Sequence, residues 1–579
     1  MNFSCSFIHT PDPVYANDQN YGVQFMPLWM YTLASYIPDN LECRLNFYDT
    51  RHDKLEDITK ANVFLFSGIN QDYNTLIKSQ EFIKKRYPNA KTIIGGPICW
   101  SFEQGGFLDK LYNFDHIFIG DGDGEGEIGE IIRKCFYNES LPRIMHSQGR
   151  FPILNSRPLY QPSVEKPFES YYGMVIEVSR GCPFLCEFCD IRIMPDNNRP
   201  HNKSASLIVS EIEDALRKGK TQFILACDNF IGDPVWALEV ADRILNLVER
   251  IGVQPSIYTW LTINLAKDKY LMKKLRQAGF EFLFIGIESF NINSLIETAK
   301  VQNSSRILID DIRTIQSFGF IIVAGFIFGF DTDEEDCFDL TINGMKESGL
   351  ISGEPSFLTA LPGTPLYRRM NLSGRLRMSE ESASSISTGG VKYETNIKYL
   401  LSKDVLINGF KKFTKEYNAG KFQYARLQSY FDCIRKNDNF IALQSSSDGF
   451  GSFGKVLKMI ANNPSTLKQL FYRGIKFSIS PARVYYAFKG ILYVISQKNI
   501  PGRSNQLQFW LFTWSNYVLK YSKLTDSDFN IESVPKNFDR NQIIPKNYRE
   551  TASEPIPDRK IDAQVKATIR GLSSVAGID

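Results

Sequence analysis

At 579 residues the chain is longer than one domain usually runs, so two to four folded units are expected. A hydrophobic share of 43% and a charged share of 23% fit a globular protein. The 67 basic and 64 acidic residues leave a net charge of +3, which gives no overall footprint for nucleic acid or an anionic membrane. No apolar run reaches the roughly 18 residues expected of a transmembrane helix. The start, "MNFSCSFIHTPDP", lacks the basic flank and long apolar core of a signal peptide. A cytoplasmic location is therefore expected, with the ten cysteines mostly as reduced thiols.

Residues 1–138 alternate short apolar runs with amphipathic stretches. "FSCSFI", "CRLNFY", "NVFLFSG", "KTIIGG" and "HIFIG" predict five buried strands, and "MPLWMYTLASYI", "YNTLIKSQEFIKKRY" and "EIGEIIRKCFY" predict helices. That rhythm predicts a Rossmann-like, doubly wound parallel α/β domain. Segment 139–171 carries five prolines and reads as a linker. A second series, over 172–375, has strands at "MVIEVS", "TQFILAC", "SIYTWLTI", "FEFLFIGIE", "FIIVAGFIFGF" and "EPSFLTAL" with helices between them. Six strands are too few for a closed eight-fold barrel, so a partial (β/α)6 barrel is expected, with its site at the strand C-terminal ends. Residues 376–529 read as a helical, aromatic-rich domain, and 530–579 as a disordered tail. Phe509, Trp510, Phe512 and Trp514 fit either helix core or the wall of a pocket, core being favoured.

The sharpest local signal is "SRGCPFLCEFCD", which places Cys182, Cys186 and Cys189 in one short loop after the first barrel strand. Structural zinc wants four ligands, commonly two separated pairs; here His201 is the only nearby fourth donor. Iron–sulfur cubanes are held by thiolates, and three of them leave one iron open for substrate chemistry. The cluster is the favoured reading over zinc or packing thiols.

The loop resembles that of the radical S-adenosylmethionine enzymes, whose C-x3-C-x-aromatic-C form is complete here with Phe188 as the aromatic. The resemblance implies a 4Fe–4S cluster whose open iron chelates S-adenosylmethionine, reductive cleavage to a 5′-deoxyadenosyl radical, and an external reductant of flavodoxin or ferredoxin type. It also implies roles for later motifs: Asp228 and Asn229 in "LACDNFIGD" toward the methionine amino group, with Cys227 where relatives carry aspartate. Thr259 and Asn264 are assigned to the carboxylate or ribose, and Glu288 in "FIGIES" to ribose hydroxyls. Gly325 and Gly329 in "VAGFIFGFDTD" are assigned to the approach of adenine, with "LPGTPLY" closing the sixth strand.

With "TNI" at 395–397 and "KFQYAR" at 421–426, the chain is most similar to a subgroup having an amino-terminal cobalamin-binding domain and a helical carboxy-terminal extension. In the first domain, Ser67-Gly68-Ile69 ends the third strand and Gly95-Gly96 the fourth, a spacing similar to the S-x-L/I and G-G elements of cobalamin domains. "IGDGDGEGE", from Ile119 through Gly120, adds a third loop on that edge. The D-x-H-x-x-G element is missing and His52 is out of register, which implies cobalamin held without a histidine on cobalt. The resemblance implies C-methylation of an unactivated carbon in a small molecule, lipid or peptide. Cyclisation or rearrangement without methyl transfer is the alternative, and a structural iron–sulfur interaction protein the rival from another class.

Overall fold

The computed structural model describes residues 3–12, 25–123, 126–147, 171, 173–184, 186–192, 196–300, 303, 308–377, 393–435, 437–443, 464–521 and 524–543. The first sheet contains β1 (Ser4–His9), β2 (Arg44–Asp49), β3 (Val63–Ser67), β4 (Lys91–Gly95), β5 (His116–Ile119) and β6 (Ile144–His146). All pair in parallel in the order β2-β1-β3-β4-β5-β6. Helices α1 (Leu28–Ala34), α2 (Tyr73–Arg86), α3 (Pro97–Gly105) and α4 (Ile128–Phe136) cover it. Two apolar layers result, one around Phe7, Met30, Leu65 and Ile132, the other around Phe64, Ile83, Ile94 and Phe102. Strands buried on both faces read as continuous apolar runs, which is why they were legible.

Two elements depart from the expected layout. Strand β6 lies inside the segment read as a linker: three residues at a sheet edge, only half-buried, carry no periodic signal. Helix α3 was not expected either, because its start, Gly96-Pro97, reads as a turn; proline at the first helical position is compatible with both.

The second sheet is parallel in the order β14-β13-β12-β11-β10-β7, and its six strands are those expected. They are β7 (Met174–Glu177), β10 (Gln222–Ala226), β11 (Ser256–Leu261), β12 (Phe280–Glu288), β13 (Ile321–Phe328) and β14 (Ser352–Phe357). A two-residue hairpin, β8 (Ser179–Arg180) with β9 (His201–Asn202), frames the cysteine loop. Helices α5 (Ala205–Arg217), α6 (Pro234–Ile251), α7 (Lys269–Gln277), α8 (Ile292–Glu297), α9 (Leu308–Ser317), α10 (Cys337–Ser348) and α11 (Pro365–Leu372) intervene. Each long helix is amphipathic, and buried positions such as Val240, Ala241, Ile244 and Leu247 of α6 face the sheet.

Beyond the barrel come β15 (Tyr393–Tyr399), α12 (Lys403–Tyr417), α13 (Gly420–Arg435), α14 (Pro464–Ser478), α15 (Pro481–Ser496), α16 (Arg503–Tyr521) and β16 (Phe529–Ser533). Strand β16 pairs with β15 and buries Ile531, so order extends into the segment read as a tail; the rest of that segment, from residue 544, lies outside the described residues. Trp510 and Trp514 are core: both are fully buried, and their indole N–H groups donate to the carbonyls of Gln423 and Asn418. Asn396 of "TNI" accepts from the Ala360 N–H and donates to its carbonyl, tying β15 to the chain leaving β14. Among the described residues no helix is long and apolar enough to cross a membrane.

Candidate functional site

The carboxyl ends of the two sheets meet around one cavity of about 660 Å³. Ser67, Gly95, Gly96 and Gly120 line it from the first sheet; Val175, Glu177, Arg180, Asp190, Ala226 and Asp228 line it from the barrel mouth and cysteine loop. Parallel α/β sheets place ligands at this edge because strand-to-helix loops diverge there.

Arg180 holds the two sides together. Its guanidinium donates to both oxygens of Asp123, at 3.0 and 2.6 Å, and of Glu177, at 2.6 and 2.8 Å. The glycine-rich loop after β5 is thereby anchored to the residue two before Cys182. Nothing in the sequence singles out Arg180 for this task, because Asp123 lies 57 positions away and only the fold brings the two together.

The loop's thiols sit together in a dry setting. Burial pushes the Cys182 thiol up to about 11, with Cys186 raising it further, and burial followed by the Asp190 charge and the Cys186 and Cys182 thiols holds Cys189 well above the usual thiol range. Thiols raised in this way ionise together only if a cation compensates them, which fits a metal–sulfur centre. Among the described residues no three His, Cys, Asp or Glu side chains converge on a single ion. A cubane instead spreads its thiolates over separate iron corners. His201, the alternative fourth zinc donor, turns its Nε2 to the Asp196 carbonyl at 2.8 Å.

Asp228 and Asn229 do come beside this loop, with different tasks. The Asp228 carboxylate accepts from the Gly181 N–H at 2.6 Å, so it fastens the backbone ahead of Cys182. Gly181 has φ +93°, and a Cβ there would lie 2.2 Å from the Arg199 carbonyl, so only glycine fits the turn. Asn229 is 1% exposed; its Nδ2 approaches Cys182 Sγ at 3.9 Å, while its Oδ1 is buried with no partner. A buried orphan acceptor costs about 1–3 kcal/mol unless a donor arrives. Asn229 therefore fits the amino group of S-adenosylmethionine better than Asp228 does. Cys227 stays neutral, its thiol pushed up to about 12 by burial and set 3.4 Å from Thr259 Oγ1.

Thr259 corrects the reading made for it: its hydroxyl is fully buried and donates to the Leu225 carbonyl at 2.9 Å, a bond within the sheet. Asn264 accepts from the Thr262 hydroxyl in the turn after β11. Glu288 is buried with φ +65° and pairs with Lys300 at 2.5 Å. Lys300, missed from sequence, is itself buried, and its ammonium lies 5.7 Å from the centre of the Phe188 ring. Gly325 is accounted for by packing, since a Cβ would meet the Phe284 ring at 3.2 Å. Gly329 has φ +97° and Tyr399 where its side chain would be, so turn geometry explains that glycine too.

On the first sheet, Gly95, Gly96 and Gly120 line the cavity, but Gly68 does not; a Cβ on Gly68 would strike Leu76 and Asp72 of α2 and the turn before it. Gly95 leaves real space, its nearest Cβ neighbour being the Phe118 carbonyl at 3.6 Å. Asn70 Oδ1 and Trp100 Nε1, on residues lining the same cavity, are buried without hydrogen-bond partners. An apolar cleft with a glycine cradle, an orphan acceptor and an orphan donor fits a large amide-rimmed ring such as a corrin. Among the described residues no histidine lines the cavity, and His52 instead packs edge-on against Tyr171.

Residues 176–343 match the radical SAM superfamily. The hopanoid C-2 methylase of Rhodopseudomonas palustris is 26% identical over 401 residues, covering 66% of this chain and 69% of that protein. Among solved structures, the radical S-adenosylmethionine methyltransferase TsrM of Kitasatospora setae, with cobalamin and a [4Fe-4S] cluster bound, superposes with a TM-score of 0.52 at 13% identity, covering 66% and 80% of the two chains. The cobalamin-dependent S-adenosylmethionine radical enzyme OxsB superposes with a TM-score of 0.55 at 13% identity, covering 99% and 84%. Both superpositions support the same order of a doubly wound sheet followed by a partial barrel. The three-cysteine loop falls inside the stretch, residues 176–343, that is similar to the radical SAM superfamily, and the six-stranded parallel sheet is built around that stretch.

Proposed function

We propose that this protein is a cobalamin-dependent radical S-adenosylmethionine C-methyltransferase acting on an unactivated carbon of a small molecule, lipid or peptide. The observation that carries the reading is the shared cavity, which joins the glycine edge of the first sheet to the cysteine loop. Cys182, Cys186 and Cys189 would hold the cluster, Asn229 the S-adenosylmethionine amino group, and Glu288 its ribose. Gly95, Gly96 and Gly120, with Asn70 and Trp100, would hold cobalamin. A bound cobalamin supplies a transferable methyl group, and a reduced cluster supplies the electron that opens S-adenosylmethionine.

The chain's own residues position and dry that chemistry. Arg180 pins the loop after β5 beside the cysteine loop, Asp228 fixes Gly181, and the cleft between Trp29, Leu33, Ile93 and Phe118 excludes water from the ring. A methylase relative supports the reaction class: the hopanoid C-2 methylase is 26% identical over 401 residues, 66% of this chain.

The test is anaerobic turnover with methyl-deuterated S-adenosylmethionine, a one-electron reductant and an extract of the source cells. Label in an organic product, with both S-adenosylhomocysteine and 5′-deoxyadenosine, is expected; the Cys182→Ala/Cys186→Ala/Cys189→Ala variant serves as the blank. 5′-Deoxyadenosine with an unlabelled product would replace methyl transfer by cyclisation or rearrangement.

A further inference from the structure

The near-neutral total charge conceals a segregated stretch. From Gly449 to Thr525 the sequence contains eleven Lys or Arg and no Asp or Glu. Helices α14 and α15 lie within it, and α15 is apolar on two faces. The inner face of α15, through Ala487, Gly490 and Val494, packs on α13 and α16, with Gly490 against the Trp510 ring. The outer faces are the unusual ones. Phe471, Ile475 and Ile479 on and just after α14, and Phe488, Leu492 and Ile495 on α15, recur at helical spacing and stand in solvent. Phe471 is 72% exposed and Phe488 61%. Scattered exposed apolar residues are ordinary, but a continuous stripe on adjacent helices marks a surface that meets something apolar.

What it meets is indicated by charge. Lys476, Arg483 and Lys489 are interleaved with the stripe, and the Lys489 ammonium folds back over the Tyr424 ring at 4.9 Å. Beside the turn between the two helices, Ser480, Ala482 and Arg483 join Lys411, Lys415, Thr414 and Lys421 around a cavity of about 590 Å³. Lys411 is paired with Asp526 at 2.5 Å, while among the described residues no acidic side chain lines the cavity itself. Protruding Phe, Ile and Leu among Lys and Arg, next to a basic cavity, match a surface that is anionic at its face and hydrocarbon beneath.

We propose that the outer faces of α14 and α15 dock on an anionic lipid bilayer, with the basic cavity receiving a phospholipid phosphate and the apolar stripe entering the acyl boundary. The helices lie on the membrane and do not cross it. A bilayer suits the stripe better than a nucleic acid, which offers no apolar surface of that extent.

The experiment is flotation of the full-length, anaerobically purified protein with vesicles of phosphatidylcholine alone or of equal parts phosphatidylcholine and phosphatidylglycerol. Binding to the anionic vesicles, weakened by salt, is expected. The Phe471→Ser/Phe488→Ser/Leu492→Ser variant should bind at least about tenfold more weakly. Because these side chains are exposed, its circular dichroism and iron content should match the wild type. Lys421→Glu/Arg483→Glu should abolish the preference for phosphatidylglycerol. Failure of the wild type to float, or flotation undiminished in the apolar variant, would overturn the proposal. A wild-type dimer that the apolar variant turns into a monomer, with no vesicle binding, would also overturn it and make the face a contact between copies.

Discussion

Arg369 on α11 and Glu187 in the cysteine loop, 182 positions apart, form a two-pronged pair at 2.8 and 2.9 Å with neither side chain exposed. Glu187 stands between Cys186 and Cys189, so the helix after the last barrel strand grips the loop from its first. Arg369 also pairs with Asp331, which Arg375 holds at 2.6 Å. Glu297 accepts from the Asp331 and Thr332 N–H groups, at 3.0 and 2.8 Å. Burial and the Asp331 charge push the Glu297 carboxyl upward; at Asp331 burial acts the same way, but Arg375 and Arg369 outweigh it and hold that carboxyl low. Arg369 and Arg375 thus face the carboxylates of Glu187, Glu297 and Asp331 in one buried knot.

Arg369→Met strands those carboxylates in the interior. A loss of about 3–5 kcal/mol is expected, read by anaerobic denaturation, with reduced iron incorporation because the loop loses its brace. The Arg369→Met/Glu187→Met double variant should cost clearly less than the sum of its singles. Strict additivity would mean that the two residues do not work as a pair.

Asp228 and Asn229 should separate by readout. Asn229→Ala removes the orphan acceptor and should weaken S-adenosylmethionine binding by roughly tenfold with iron content retained. Asp228→Ala frees the Gly181 N–H and should lower iron content first. Equal effects of both variants on iron would remove the distinction.

Glu288→Gln should do two things. It should weaken S-adenosylmethionine binding, and it should destabilise the protein even without that ligand, because Lys300 would be left buried without its anion. Adding Lys300→Met should restore stability but not affinity. If stability is unchanged in the single variant, the Lys300 pair is not formed in solution.

Asp333 supplies a pH signature. Burial pushes its carboxyl up to about 6, despite the Ser294 hydroxyl and the Gly329 and Phe330 N–H groups that favour the charged form. The folded state then keeps a proton that the unfolded chain has already released, so this group's penalty grows as pH rises from about 4 to about 6. Wild type should lose about 2–3 kcal/mol relative to Asp333→Asn across that interval. A constant difference between the two proteins, followed by thermal unfolding, would contradict the assignment.

The barrel was legible because strands such as β10 and β13 are apolar and largely buried on both faces, and helices of clear period lie between them. The cysteine loop was legible because its spacing is local. What sequence could not show was which polar residue spends its hydrogen bonds on the fold. Thr259 and Asp228 both look free in a string of letters, yet one bonds within the sheet and the other ties down Gly181. Likewise Arg369, Arg180 and Lys300 act on partners brought near only by packing. The glycines divide the same way: Gly95 opens space, whereas Gly68 and Gly325 only let neighbours pack.

That division fixes the decisive measurement. Gly96 is a poor probe, since φ is +87° and a Cβ would lie 2.3 Å from Ser67 Oγ, so any side chain strains the loop itself. Gly95 lines the cavity in ordinary backbone, and Gly95→Leu fills the space without that strain. Cobalamin content should be measured on wild type and Gly95→Leu purified from cells supplied with the cofactor, alongside iron content. The account predicts one equivalent of cobalamin in the wild type, with no imidazole nitrogen on cobalt by electron paramagnetic resonance of the reduced form, and almost none in Gly95→Leu at unchanged iron. A wild type that binds no cobalamin, or a Gly95→Leu variant that binds it fully, would contradict it.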